Sequence, residues 1–424
     1  MRILFLTPQV PFPPRQGTAL RNWGLISGLA DRHELWLLSF DEQLAPDQRR
    51  ELADMPDALR RVCAEACALP APRRSLRRRL RTLITSSLPD MAWRLWSPRF
   101  AAQFERWLRE RDFDIVQIEG IELARYALES ASLLASLSAT AGRSRPALVF
   151  DDHNCEYLLQ RRAFEADVRN PRRWHAALYS FINWRRLVQF ERRMVRAARA
   201  TLCVSPQDAA SIRKLDPGVR PHVIFNGIEV DHYAAPDLAD RLTHAASPTL
   251  LFTGKMDFRW NVDAVLWFAD QVLPFVRQHI PDVRWLIVGQ NPSPRLDRLR
   301  ADSCITITGA VDDTRPFIRQ ADVYIAPLLV GSGTRFKLLE AMAMQRAIVT
   351  TSRGCEGFEV TSGDELLIAD DAGSFAQAVI DLLRDPHGRA EMGRRAQAFV
   401  AARYDWRVIV PHLEGIYARL AADT

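Results

Sequence analysis

The sequence predicts an α/β protein built from two doubly wound domains, and three observations carry that prediction. Short apolar runs alternate with longer helical patterns through almost all of the 424 residues. The runs are continuous in Val, Ile and Leu, as in parallel strands covered on both faces. The alternation breaks over residues 226–247 (NGIEVDHYAAPDLADRLTHAAS), which hold no strand signal and little apolar content. That break reads as a linker, with the boundary near residue 230. A length of this size also fits two or three domains at about 150 residues each.

In order, strands are expected at 2–6, 34–40, 114–118, 147–150 and 201–204. A second series follows at 223–225, 249–253, 284–288, 305–308, 323–326, 347–350 and 366–368. Residues 156–199 form a long helical tract rich in Arg and aromatics, broken near Asn170-Pro171. A last apolar helix starts at Trp406, with Asp405 as its N-cap. Right-handed βαβ connections then give each domain a sheet whose carboxyl edge binds ligands, facing a shared cleft. Function is therefore sought in loops that follow strands.

Composition narrows the classes. With 48% hydrophobic and 25% charged residues, the chain is ordinarily globular, not disordered, collagenous or a disulfide scaffold. Six cysteines without zinc spacing indicate a reducing, cytosolic protein with no structural metal. Prolines at 8, 11, 13 and 14 interrupt the apolar start, and no later run reaches the ~18 residues of a spanning helix. Net charge is +6 from 57 basic residues, yet Lys occurs only at 214, 255 and 337. The Arg excess reads mostly as codon bias.

Four loops carry chemistry. After the strand at 323–326, LLVGSGTRFKLLEAMAM places Ser332, Gly333 and Thr334 in a glycine loop, then Arg335 and Lys337 in a first helical turn. Glycine lets backbone N–H groups crowd an anion, and cations in that turn oppose the helix dipole, so they answer an external anion such as a diphosphate. Glu340, about 8 Å further along the helix, is placed to accept ribose hydroxyls. The rival is a plain strand–turn–helix junction. In FTGKMDFRWNVD, Lys255 and Arg259 follow another strand and can neutralise a leaving diphosphate or stand as solvated loop cations. In PFPPRQGTALR, Gly17 opens a helix where backbone can approach a phosphate or acceptor, with Arg15 or Arg21 assisting, or it is only a turn; the spaced glycines of a dinucleotide fingerprint are absent. In FDDHN, His153 ends a strand and either polarises a reacting group or helps cap the next helix. Glu119, at another strand end, reads as a structural acid or as a base toward an acceptor hydroxyl.

The segment PAPRRSLRRRLRTLITSSLP clusters Arg73, Arg74, Arg77, Arg78, Arg79 and Arg81 with Leu76, Leu80, Leu83 and Ile84 at helical spacing. A basic amphipathic helix of this kind rests on anionic lipid, and Trp93, Trp96 and residues 172–186 suit the same surface. A solvated face is the plain alternative; no nucleic-acid module pattern is present, so no nucleic-acid partner is expected.

These segments, with WLIVGQNP, ITGAVDD, IVTTSRGCEG, TLCVSPQDA and VIFNGIE, resemble the family-4 retaining glycosyltransferases. A finer likeness is to sugar transferases associated with polysaccharide export and PEP-CTERM/exosortase systems. The resemblance implies the GT-B fold: two Rossmann-like domains, 1–230 for the acceptor and 231–403 for a nucleotide sugar, facing a central cleft, with 404–424 crossing back to the first. It implies Glu340 as the second Glu of E-x7-E on the ribose, Lys255 on the diphosphate with Arg259 or Lys337, His153 near the transferring sugar and Gly17 under the diphosphate. Ser332 stands where the family has the first Glu. Arg21 and Glu119 are the expected acceptor contacts.

The expected function is therefore retaining, metal-independent hexosyl transfer from a UDP- or GDP-sugar to a glycan or lipid-linked acceptor, in exopolysaccharide or cell-surface polysaccharide synthesis. No cofactor is expected, and the location is cytoplasmic, with contact at the inner face of the membrane through the Arg-rich half. The rivals are an epimerase-like enzyme of the same fold and a degenerate nucleotide-sugar-binding subunit.

Overall fold

Residues 1–14, 17–136, 146–168, 171–234, 247–330 and 335–422 are described by the computed structural model. The chain separates into two units, Met1–Phe225 with Ile409–Thr424, and Asn226–Val408.

The first unit holds β1 (Arg2–Thr7), β2 (Glu34–Asp41), β3 (Arg50–Glu51), β4 (Glu65–Pro70), β5 (Ile115–Glu119), β6 (Ala147–Asp152), β7 (Ala200–Cys203) and β8 (His222–Val223). They form one sheet in the order β3-β4-β2-β1-β5-β6-β7-β8. All neighbours are parallel except β3 and β4. Strands β5 and β6 are buried at every position, as continuous apolar runs require when helices cover both faces. The strand read at 223–225 sits at His222–Val223. Strands β3 and β4 were not legible in sequence. The segment EACALP has no β-branched or aromatic residue, and it becomes a strand because its ladder with β2 runs from Trp36↔Glu65 to Asp41↔Pro70. In this sheet the strand order reverses between β1 and β5, which marks the switch point where α/β sheets bind ligands.

The helix Gly17–Leu29 follows β1, and the C-terminal helix Trp406–Ala422 packs against it. Glycine at 28 permits that approach, since a Cβ there would stand 2.6 Å from Val410 Cγ2. Glu414 accepts from Arg32 at 2.7 Å and lies 2.9 Å from His33 Nε2. Asp405 caps the helix by accepting from the Arg407 N–H at 2.9 Å.

The second unit holds β9 (Thr249–Thr253), β10 (Arg284–Val288), β11 (Ile305–Gly309), β12 (Val323–Ala326), β13 (Ala347–Thr350) and β14 (Leu367–Ile368). Their order is β11-β10-β9-β12-β13-β14, with every neighbour parallel. The reversal here lies between β9 and β12. Two glycines shape the loops at the carboxyl edge: a Cβ on Gly289 would fall 1.6 Å from the Gly254 carbonyl oxygen. Among the described residues, no helix is long and apolar enough to cross a membrane.

One feature of the first unit's core sets its response to pH. Asp152 ends β6, Glu156 opens the helix Glu156–Val168, and Glu191 lies on the helix Trp174–Ala197. Burial pushes the Glu191 carboxyl up to about 7 and Glu156 to about 8, and it holds Asp152 well above the carboxylate range. Groups with raised folded pKa values bind more protons folded than unfolded, so their stabilising effect is lost as pH rises from the ordinary carboxylate range through 7 to 8. The unfolding free energy of the full chain, from urea titrations, should therefore fall between pH 5.5 and 8.5, by on the order of 1–3 kcal/mol. Glu191→Gln should flatten that profile, and an unchanged slope would contradict the assignment.

Candidate functional site

The second unit assembles its site at the β9/β12 switch point. The loop after β9 supplies Gly254 and Lys255 and leads into the helix Arg259–Trp267; β12 leads to the helix Phe336–Ala343. Lys337, in the first turn of that second helix, donates through Nζ to Asn261 Oδ1 at 3.0 Å. Asn261 Nδ2 donates in turn to the Lys255 carbonyl at 2.9 Å. Both side chains close on Gly254, where a Cβ would be 2.8 Å from Lys337 Nζ and from Asn261 Nδ2. The ammonium also lies 4.2 Å from the centroid of Phe252.

One turn further on, Glu340 Oε1 accepts from the Tyr233 hydroxyl at 3.2 Å. Burial pushes the Glu340 carboxyl up to about 7, against the hydrogen bond from Tyr233 and the charge of Lys337. Burial, then the charge of Arg335, brings the Lys337 ammonium down to about 7. Both groups thus change charge near neutrality. A bound diphosphate would favour the protonated lysine, because an anion stabilises the cation beside it.

The remaining second-unit candidates are less enclosed. Lys255 has a half-exposed side chain with Nζ 3.7 Å from Asp257 Oδ2, and Arg259 turns toward Asp263 at 3.5 Å. Arg335 stands at the N-cap of the helix Phe336–Ala343, whose first turn holds no acid. Ser332, Gly333 and Thr334 lie outside the described residues, as does Arg15 in the first unit.

In the first unit, Gly17 is exposed at the start of its helix, after β1. His153 follows β6, with Nε2 2.6 Å from Glu119 Oε2. Burial works against the imidazolium, but the hydrogen bond to Glu119 and the charge of Asp151 outweigh it and raise its pKa. The Glu119 carboxyl is raised as well, by burial and by Asp151. The pair therefore keeps a shared proton to higher pH than a free imidazole does. His153 Nδ1 lies 3.9 Å from where a Cβ of Gly120 would be; glycine there also supplies φ +85°.

Two expectations need correction. Arg21 does not reach toward an acceptor: it is 1% exposed. Its Nε and second terminal nitrogen donate to the two Asp151 oxygens at 2.9 and 3.1 Å. Its first terminal nitrogen donates to the carbonyls of Ile224 and Phe225 at 2.9 and 3.1 Å. Glu119 is likewise fully buried, and both its oxygens are occupied by His153 and Gln117, so it orients rather than contacts. Glu119, Asp151 and His153 bring ligand atoms within 4.8 Å of one another, a spacing that would suit a cation. Arg21 already neutralises Asp151 there.

Trp93 and Trp96, both half-buried, hold the Arg125 guanidinium between them, 4.1 and 3.8 Å from their ring centroids. Tyr233 and Gly289 are site residues that sequence did not single out, whereas Asn261 belongs to the FTGKMDFRWNVD loop already read as a site segment. The one signal for Tyr233 was an aromatic with a polar tip inside an otherwise polar linker.

Residues 16–232 match the family described as Glycosyltransferase Family 4, and residues 247–385 match Glycosyl transferases group 1. The chain belongs to the family-4 glycosyltransferases, whose fold is GT-B. A relative from Mycolicibacterium smegmatis, phosphatidyl-myo-inositol mannosyltransferase, is 34% identical over 200 residues, 46% of this chain and 50% of the relative. The chain thus spans about half the length of this relative. Among solved structures, sucrose-phosphate synthase from Thermosynechococcus elongatus matches with TM-score 0.72 and 14% identity over 100% of both chains. Anabaena HepE in complex with UDP-glucose matches with TM-score 0.63 and 15% identity over 99% of this chain and 100% of that one. At these identities the likeness is one of fold.

Arg21→Met should destabilise the full chain by about 3–5 kcal/mol, because it leaves Asp151 as a buried unpaired charge. Paired replacement with Asp151→Leu should restore part of that loss in urea unfolding. Equal stability of Arg21→Met and the natural chain would show the pair is unimportant.

Proposed function

We propose that this protein transfers a sugar, with retention at the anomeric carbon, from a nucleotide-diphosphate sugar to a glycan or lipid-linked acceptor in surface polysaccharide synthesis. The observation that carries this is the Lys337–Asn261–Gly254 contact beside the Glu340–Tyr233 pair, all at the switch point of one sheet. Glycine at 254 leaves backbone open to a diphosphate, while Lys337 and Lys255 provide the charge that a departing diphosphate needs. Arg335 and the helix N-terminus add to it. Glu340, with Oε1 held by Tyr233, offers its other oxygen to ribose hydroxyls. In the first unit, His153 is the group placed to hydrogen-bond a sugar hydroxyl, through the nitrogen that Glu119 leaves open. No metal takes part in this reading.

Two similarities support the substrate classes. The Anabaena structure holds UDP-glucose, and the Mycolicibacterium relative is named for mannosyl transfer to a phosphatidylinositol. The donor is thus read as a UDP- or GDP-sugar. Thermal shift of the full chain against UDP-, GDP- and ADP-sugars, followed by transfer assays with the stabilising donor, tests this. Release of nucleotide with sugar moved to an acceptor is the expected result. Conversion of the donor sugar without transfer would favour an epimerase, and binding without turnover a non-catalytic subunit.

Lys337→Ala should lower kcat by ~100-fold or more, since it removes a leaving-group charge. Glu340→Ala should raise the donor KM by about 10- to 100-fold, the equivalent of a hydrogen bond to a charged group. Donor affinity should fall as pH rises above 7, because Lys337 then enters the site neutral and must take up a proton on binding. A flat affinity between pH 6 and 9 would remove Lys337 from the diphosphate site.

The lipid side of the reading rests on the helix Leu76–Thr85. Its Leu76, Leu80 and Ile84 are 74%, 59% and 82% exposed, and Arg73, Arg77, Arg78 and Arg81 are exposed around it. Arg74 and Arg79 are committed inward to Asp90. Trp174 and Leu178, at the start of the helix Trp174–Ala197, are exposed as well. An apolar stripe flanked by arginines suits an anionic bilayer surface, and this would place the enzyme at the inner face of the membrane. The full chain should co-sediment with vesicles containing phosphatidylglycerol and much less with pure phosphatidylcholine. Leu80→Asp combined with Arg77→Ser should reduce that binding about tenfold or more; unchanged binding would refute the surface.

A further inference from the structure

Among the buried polar groups of the first unit, one hydrogen-bonded chain runs from the C-terminal helix to His153. The Tyr417 hydroxyl bonds Gln117 Oε1. Gln117 Nε2 donates to Glu119 Oε1 at 2.5 Å. Glu119 Oε2 meets His153 Nε2 at 2.6 Å. Tyr417, Gln117 and Glu119 are each 0% exposed. Asn22, with its amide nitrogen toward Glu119, adds a donor to Oε2 at 2.8 Å.

The direction of each bond is dictated by chemistry. A carboxylate only accepts, so the Gln117 amide must turn its nitrogen toward Glu119. Its oxygen is then left facing Tyr417, which must donate. With one of its oxygens fixed this way and the other shared by Asn22 and His153, Glu119 has one orientation. The imidazole accordingly keeps Nε2 on Glu119 and presents Nδ1. From this we infer that Tyr417 is a positioning residue for His153: its hydroxyl locks the Gln117 amide, and through Glu119 it sets the ring orientation and tautomer that the sugar site uses. The inference rests on His153 serving that site as proposed above. Glu414, on the same helix, instead binds Arg32 and His33 near the start of β1.

Without the hydroxyl, the Gln117 oxygen becomes a buried acceptor with no donor, and the amide loses the constraint against turning its oxygen onto the carboxylate. The groups facing this network are Asp151 and Arg21, paired with each other, and neither changes in the variant.

The test uses Tyr417→Phe in the full chain, with imidazole carbons labelled for NMR titration of His153. The expected result is an unchanged circular dichroism spectrum and a His153 midpoint lowered by about half a pH unit or more, because the carboxylate that favours imidazolium is less well held. Donor KM should stay the same while kcat falls about three- to tenfold. The double variant Tyr417→Phe with Gln117→Leu, which removes both partners at once, guards against loss of fold and should show the same titration shift. A His153 titration in Tyr417→Phe identical to that of the natural chain would overturn the inference, whatever the double variant shows, because Gln117→Leu also removes the donor to Glu119 Oε1. If the natural chain transfers no sugar, the proposed function fails, yet the titration still decides whether Tyr417 governs His153.

Discussion

The first unit depends on one buried ion pair. Arg21 and Asp151 are removed from water together, and only the planar fork of a guanidinium can satisfy both carboxylate oxygens while also reaching the Ile224 and Phe225 carbonyls. That single side chain joins the helix after β1 to β6 and to the carbonyls just after β8. It also fixes the charge environment next door. Asp151 raises both Glu119 and His153, and its own charge is tolerable there because Arg21 answers it. Without the pair, the strand ends that carry Glu119 and His153 would border an uncompensated buried charge.

The second unit reaches its geometry by a different constraint, the exclusion of side chains. Gly254 and Gly289 touch where a Cβ on Gly289 would collide, and the missing Cβ on Gly254 is what lets Lys337 and Asn261 seat against the backbone of the β9 loop. Lysine is the fitting cation here. Its ammonium is compact enough to lie over Phe252 and against Gly254, and unlike a guanidinium it can shed its proton when buried without a partner anion. In a chain that otherwise uses arginine almost throughout, two of its three lysines fall in this loop pair.

Much of this was legible in the residues. Parallel strands announced themselves as unbroken Val/Ile/Leu runs, because burial on both faces leaves no polar alternation to hide them. Lys337 and Glu340 could be placed on one helix from spacing alone. What escaped were features made by tertiary contact. The strand EACALP is strand only because β2 offers it a ladder. Arg21 reads as an acceptor contact, for nothing local in PFPPRQGTALR shows that Asp151, 130 residues away, will bury it. Tyr233 lies in a polar linker, and nothing near Trp93 and Trp96 in the sequence shows that Arg125 will sit between them. Long-range partners of charged and aromatic side chains have no periodicity to read.

The placement of the last helix has a consequence for biosynthesis. The first unit begins the chain but is completed only by Ile409–Thr424, whereas the second is one continuous stretch from Asn226 to Val408. A ribosome must therefore deliver the whole second unit before the first can close over Gly28 and Gln117, a delay of roughly 10–40 s at ~5–20 residues per second. During that interval the face of the helix Gly17–Leu29 that will receive Val410 stands open, and the order of maturation inverts the order of translation.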